Sequence, residues 1–156
     1  MARFTSSIEV GVRVDDVWAR ITDWPAHGRW IPLTTVRVTS DRPDGVGATF
    51  SAFSGIGRVG FVDPMEIVEW TVPGPGRPGY CRVAKQGRVV LGWAAFEVAE
   101  RPGGGSVVRW TEEVQITPVR LTRPADRVIA AAGRFGFQRA LRAMARELET
   151  EVGSGA

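Results

Sequence analysis

The chain opens on a strict alternation. Phe4, Ser6, Ile8, Val10 and Val12 share one face of an extended segment, with Thr5, Ser7 and Glu9 on the other. Period two over this length predicts a half-buried strand. The period then lengthens. Val14, Val17, Trp18 and Ile21 recur at helical spacing, which predicts a short amphipathic helix over Val14–Thr22 with Asp15 or Asp16 as its N-cap. Pro25 suits the first turn of a second short helix, capped by Asp23 and ending near Pro32.

A long strand-like region comes next. Leu33–Ser40 and Ala48–Ser54 flank the turn signal Pro43-Asp44-Gly45. The glycine-rich stretch 54–60, SGIGRVG, lacks the Gly-Lys-Ser/Thr and the subsequent helix of a phosphate loop, and reads as a hairpin or bulge. Met65–Val72, Tyr80–Gln86, Arg88–Ala99 and Val107–Thr117 continue the run of strands, with Pro73–Gly79 and Arg101–Ser106 as loops. Alternation places Val68, Trp70, Phe96, Val98, Val108 and Trp110 on the inward face. Glu112 has the same parity as Val108, Trp110 and Val114. Trp93, with Val89, Leu91 and Ala95, is out of phase with Phe96, so either the strand bulges or an apolar patch faces outwards and favours a homodimer. Pro118 ends the strands. Over Pro124–Glu151, Ala130, Gly133, Phe137, Leu141, Met144 and Leu148 form one helical stripe, with Arg127, Arg134, Arg142 and Arg146 opposite. Phe135 and Val128 break the pattern on the arginine side.

Composition narrows the chemistry. The 156 residues suffice for one domain with a real core, and no apolar run is long enough for a membrane helix. The N-terminus lacks the basic and apolar regions of a secretory signal. Cys81 is the only cysteine and reads as a small core residue, so no internal disulfide forms and a cytoplasmic setting is expected. His27 is the only histidine and is expected in a surface or capping role; no Cys/His cluster suggests a metal, and no nucleophile-elbow motif is present. The net charge of +3 comes from the C-terminal region: basic and acidic residues balance over 1–118, whereas Arg120, Arg123, Arg127, Arg134, Arg139, Arg142 and Arg146 crowd the segment 119–150. This face reads as a solvated helix surface, and nucleic acid is not an expected partner, although an arginine-rich helix is also what an anionic surface would attract.

The order strand, two short helices, many strands, long helix resembles the SRPBCC or START-like superfamily. That superfamily includes bacterial polyketide cyclase/dehydrase and lipid-transport proteins. The resemblance is carried by Ser7-Ile8-Glu9-Val10, Val17-Trp18, Asp23-Trp24, Trp30-Ile31-Pro32, Gly87-Arg88 before Phe96, Val108–Glu113 and the terminal helix. It covers about residues 3–150 and implies a single domain over 1–152, with 153–156 as a frayed tail. The implied fold class is α+β, a helix-grip of seven antiparallel strands curved around the C-terminal helix. An apolar pocket would lie between sheet and helix, with the short helices closing one end.

Within that fold the expected function is binding of a small hydrophobic or aromatic molecule, polyketide- or lipid-like, without metal or organic cofactor. Cyclase or dehydratase activity would be an elaboration of it. The alternative is a non-catalytic lipid chaperone or a macromolecular interaction module. The candidate ligand contacts are Trp24, Trp30, Trp70, Tyr80, Arg82, Phe96, Trp110, Glu112, Phe137 and Leu141. Members resembling aromatase/cyclases place arginine, tyrosine and tryptophan in the cavity, which Arg82, Tyr80 and Trp70 would match. Glu112 is expected to be desolvated among apolar neighbours, with Arg82 as its partner. Paired, it would orient a ligand carbonyl or hydroxyl; with a raised pKa it would be a general acid. The proline- and glycine-rich loop Pro73–Gly79 is a candidate for the cavity rim.

Overall fold

The computed structural model describes residues 1–155. Strand β1 (Ala2–Val10) leads to helix α1 (Val14–Ile21), then a 3₁₀ turn (Trp24–Ala26) that runs into α2 (His27–Trp30). Six more strands succeed them: β2 (Thr34–Val38), β3 (Thr49–Ile56), β4 (Val59–Thr71), β5 (Gly79–Gln86), β6 (Val90–Glu100) and β7 (Ser106–Ile116). A turn of helix, α3 (Val119–Thr122), and a 3₁₀ turn (Arg123–Ala125) introduce the long α4 (Asp126–Ser154). The strands form one antiparallel sheet in the order β1-β7-β6-β5-β4-β3-β2. The chain therefore meanders from β2 to β7 and joins its first strand to its last. α4 lies across the concave face, with α1 and α2 at one end, as expected of a helix-grip fold.

Local chemistry explains the element ends. Asp15 and Asp16 sit in the first turn of α1 rather than at its cap, which is Arg13; there they face the positive end of the helix dipole. Gly57 has φ of 60° in the two-residue turn between β3 and β4, a conformation that glycine adopts without strain, so the glycine-rich stretch is a hairpin. The helix continues through Gly153 and Ser154, where a frayed tail was expected; Ala156 lies outside the described residues.

The inward face corrects one sequence reading and decides between the alternatives left open by another. Pairing between β4 and β5 slips between Ile67 and Glu69, so Val68 is a bulge residue, 40% exposed, and Trp70 resumes the inward phase opposite Cys81. Strand β6 pairs with β7 without interruption. Ala94, Phe96 and Val98 face in, and Trp93 faces out. Trp93 is not bare: the guanidinium of Arg82 lies 4.4 Å from its ring centre and that of Arg3 5.6 Å. The outward patch that argued for a homodimer is thereby reduced to Val89 and Leu91.

Aromatic rings bind the layers together. Trp18 meets Trp70 at 5.1 Å and Phe96 at 5.8 Å, tying α1 to the sheet. A second series runs Phe96–Trp110–Phe137–Phe4, with centroid spacings of 5.5, 5.1 and 5.5 Å, and joins β6, β7, α4 and β1. Each such pair adds about 0.5–1.5 kcal/mol beyond the burial of its area. Burial along α4 is uneven. Ala140, Leu141, Met144, Ala145 and Leu148 are buried, whereas Ala130, Gly133 and Phe137 are only half-buried. The second half of α4 closes on the sheet, and the first half leaves space.

Candidate functional site

That space is a cavity of about 270 Å³. β2, β3 and β4 contribute Val36, Phe50, Ala52, Phe61 and Met65 to its wall. β5 to β7 contribute Val83, Ala94, Phe96 and Trp110, the short helices Trp24 and His27, and α4 Phe137. Trp24 lies flat on Phe50, 4.1 Å apart and 8° from parallel, and its indole N–H donates to the Pro43 carbonyl at 2.7 Å. The ring is thus fixed in orientation with its apolar faces free to pack.

Three charged side chains interrupt this apolar wall: Asp63 on β4, Lys85 on β5 and Glu112 on β7. Strand register brings them together. Asp63 and Met65 share the inward phase of β4, Lys85 lies opposite Met65, and between Lys85 and Glu112 the intervening strand β6 offers only Gly92 and Ala94. With no long side chain in between, Lys85 Nζ reaches within 4.0 Å of Glu112 Oε2 while bonding Asp63 Oδ2 at 2.7 Å. Glu112 Oε1 accepts the indole N–H of Trp110 at 3.0 Å.

Burial pushes the Glu112 carboxyl above the ordinary carboxylate range, against the opposing pull of Lys85 and the Trp110 N–H. For Lys85 burial works against the charge, yet the attraction of Glu112 and Asp63 outweighs it and holds the ammonium above its usual pKa. Lys85 is therefore a cation in the wall between two carboxyl groups, of which Glu112 holds its proton to a higher pH than an ordinary carboxylate does.

His27 is buried, not superficial. Trp24, Trp30 and Trp110 surround it at 5.6, 5.2 and 5.6 Å. Its Nε2–H donates to the Ile21 carbonyl at 2.7 Å, which leaves Nδ1 as the lone-pair nitrogen of a neutral ring. Burial lowers its pKa to about 4. Cys81 is fully buried and its thiol is pushed up to about 12 by burial, so it is a core residue and not a nucleophile.

The candidate residues divide into groups. Trp24, Phe96, Trp110, Glu112 and Phe137 line the cavity together. Trp30 and Leu141 reach only a narrow void behind it, and Trp70 is packed into the core against Trp18. Tyr80 and Arg82 are on the opposite face of the sheet, because β5 turns Cys81, Val83 and Lys85 inward. Arg82 pairs with Glu69 at 3.5 Å and covers Trp93; the partner of Glu112 is Lys85. The loop Pro73–Gly79 is not at the rim. It packs near Val14 and Glu100, where the missing side chain of Gly79 makes room for the Trp18 ring. Sequence reasoning missed Asp63, Lys85 and His27. One signal was present for Lys85: every other basic residue in the chain, His27 aside, is arginine.

The closed end is clasped. Glu147 on α4 accepts from Arg20 on α1, and from Arg29 and the Trp30 indole on α2, the last at 2.8 Å. The Arg29 hydrogen bond above all holds the Glu147 carboxyl below its usual range. Among the described residues no cluster of His, Cys, Asp and Glu could hold a metal, and no helix is long and apolar enough to cross a membrane.

Comparison with solved structures places this architecture among known ones. A protein from Thermobifida fusca matches with a TM-score of 0.63 and 23% identity, over 95% of this chain and 93% of that one. The di-domain ARO/CYC StfQ from the steffimycin biosynthetic pathway matches with a TM-score of 0.72 and 13% identity, over 97% of this chain and 52% of that one. Norcoclaurine synthase from Thalictrum flavum, in complex with dopamine and hydroxybenzaldehyde, matches with a TM-score of 0.61 and 14% identity, over 95% and 86%. At these identities the likeness is one of fold. No curated protein matches. The family model described as polyketide cyclase / dehydrase and lipid transport matches residues 1–152, and the chain belongs to that family.

Proposed function

We propose that the protein binds a small, flat hydrophobic or aromatic molecule between its sheet and α4. The observation that carries this reading is the cavity itself: an aromatic-lined space of about 270 Å³ whose charged groups are gathered in one cluster. Ligand sites combine an apolar body with a few placed polar groups, and this volume is at the small end, suited to one or two rings. The family description and the fold shared with an ARO/CYC protein, and with an enzyme held with two single-ring aromatics, support the same reading. A cyclisation or dehydration in this cavity would use Glu112 as its general acid, because burial favours its protonated form.

Titration calorimetry with naphthalene tests the binding reading. The wild-type protein is expected to bind it. Ala52→Phe, which fills the wall opposite Asp63, is expected to weaken binding at least tenfold while the circular dichroism spectrum is unchanged. Equal affinity in the two proteins would reject the cavity as the site.

A second reading, lipid chaperone or interaction module, is favoured by one observation. Val128 and Phe135 are 70% and 66% exposed on the arginine-rich side of α4.

A further inference from the structure

One acceptor in the cavity wall has no protein donor. Asp63 is more than nine-tenths buried; its Oδ2 takes the Lys85 ammonium, while no hydrogen bond reaches its Oδ1. Leaving a buried carboxylate oxygen unsatisfied is costly, and native interiors rarely do so without a reason. Beside it lies a donor with capacity to spare. An ammonium has three N–H groups. Lys85 spends one on Asp63, has the weakly accepting Met65 thioether at 3.8 Å, and stands 4.0 Å from Glu112, beyond hydrogen-bond length.

The residues that carry the unmet acceptor and the underused donor adjoin each other in the cavity wall. Asp63 Oδ1 itself has almost no accessible surface, so a small rotation of the carboxylate brings it to a hydroxyl that satisfies both groups at once: the O–H donates to Asp63 Oδ1 and its lone pair accepts from Lys85. An ether oxygen only accepts, and a methyl group does neither. A carboxylate on the ligand would face the Asp63 carboxylate, and an ammonium would face Lys85, so a neutral group fits best. The remaining wall offers Trp24, Phe50, Phe96, Trp110 and Phe137 to a ring.

We propose that the cavity selects a hydroxyl-bearing aromatic, a phenol or fused-ring analogue, with its hydroxyl seated between Asp63 and Lys85 and its rings among the aromatic side chains. This rests on the reading of the cavity as a ligand site and names the chemical class that the site takes. Asp63 and Lys85 then act as specificity-determining residues, and the indole-held Glu112 as the neighbour that limits the charge of the cluster.

The test compares 2-naphthol with its near-isostere 2-methylnaphthalene, using naphthalene as the reference, by titration calorimetry of the full chain. The wild-type protein is expected to prefer the hydroxyl over the methyl by about tenfold or more, since a buried polar site discriminates strongly against an analogue that leaves it unpaired. In Asp63→Asn the amide oxygen turns to Lys85 and presents N–H groups to the cavity, so the preference should fall below about threefold with the affinity for 2-methylnaphthalene retained. Lys85→Met provides the second variant, with the same loss expected. Equal binding of the two probes by the wild type overturns the proposal, as does a preference that survives in both variants. If neither variant folds, the wild-type comparison alone decides it. Failure of the wild type to bind any of the three probes would instead overturn the cavity reading on which it stands.

Discussion

At the scale of single residues, His27 gives the most direct test, since it is the only histidine and its ring signal is unambiguous. The folded-state pKa of about 4 lies below the value of about 6.5 for a free histidine. The unfolded chain therefore binds a proton between these values that the folded chain refuses. This contribution to stability is complete above pH 6.5 and is lost as pH falls towards 4, amounting to about 3 kcal/mol by linkage. Glu112 acts in the opposite sense. Its pKa is raised on folding, so its favourable contribution is present below the unfolded value and is lost as pH rises through the folded one. We expect the His27 Hε1 resonance to titrate with a midpoint near 4; a midpoint near 6.5 would show a ring open to water. Parity along β6 and β7 and the stripe on α4 were enough to find Phe96, Trp110, Glu112 and Phe137. Parity along β5 was not, because its inward set ends in a lysine and its outward set contains the tyrosine. Asp63 escaped because it stands just before a proline, ahead of the segment whose pattern announced a strand.

Among the elements, α4 combines two glycines with opposite reasons. A side chain on Gly133 would clash with the Phe4 ring, whereas around Gly136 there is open space. Glycine costs a helix interior about 1 kcal/mol relative to alanine, so Gly136→Ala should stabilise the protein by up to that amount. Gly133→Ala should instead destabilise it by about 1–3 kcal/mol, because Phe4 is held in its stack on Phe137 and cannot withdraw freely. Urea denaturation of both variants checks this, and a stabilised Gly133→Ala would disprove the close contact. The sequence alone cannot tell the two glycines apart, since the difference lies in β1, far away in the chain. The bulge at Val68 was hidden for a related reason. Alternation shows a phase on either side of an extra residue but not which residue is extra, and that is decided by pairing with β5.

For the whole molecule, the order of elements made the helix-grip architecture legible, while the distribution of charge did not by itself reveal a partner. If the arginine-rich side of α4 engages lipid, vesicles containing about 30% phosphatidylserine should capture the protein at low ionic strength and release it as salt rises past the point where the screening length drops to about 8 Å. Phe135→Ser together with Arg139→Ser should abolish capture while leaving naphthalene affinity unchanged. Absence of capture in low salt would leave small-molecule binding as the sole reading. The union of β1 with β7 has a consequence in time. β1 leaves the ribosome first, but its hydrogen-bonding partner is made only after the other five strands, so Phe4, Ile8 and Val10 must wait without cover while the meander is assembled. Such distant pairing makes folding slow. The short helices that cap the cavity are tethered to this same strand and find Glu147 only when the last helix is complete. During synthesis the closed cavity is thus the final thing to exist, and a chain that stalls before α4 presents an unclosed apolar sheet to the quality-control machinery of its cell.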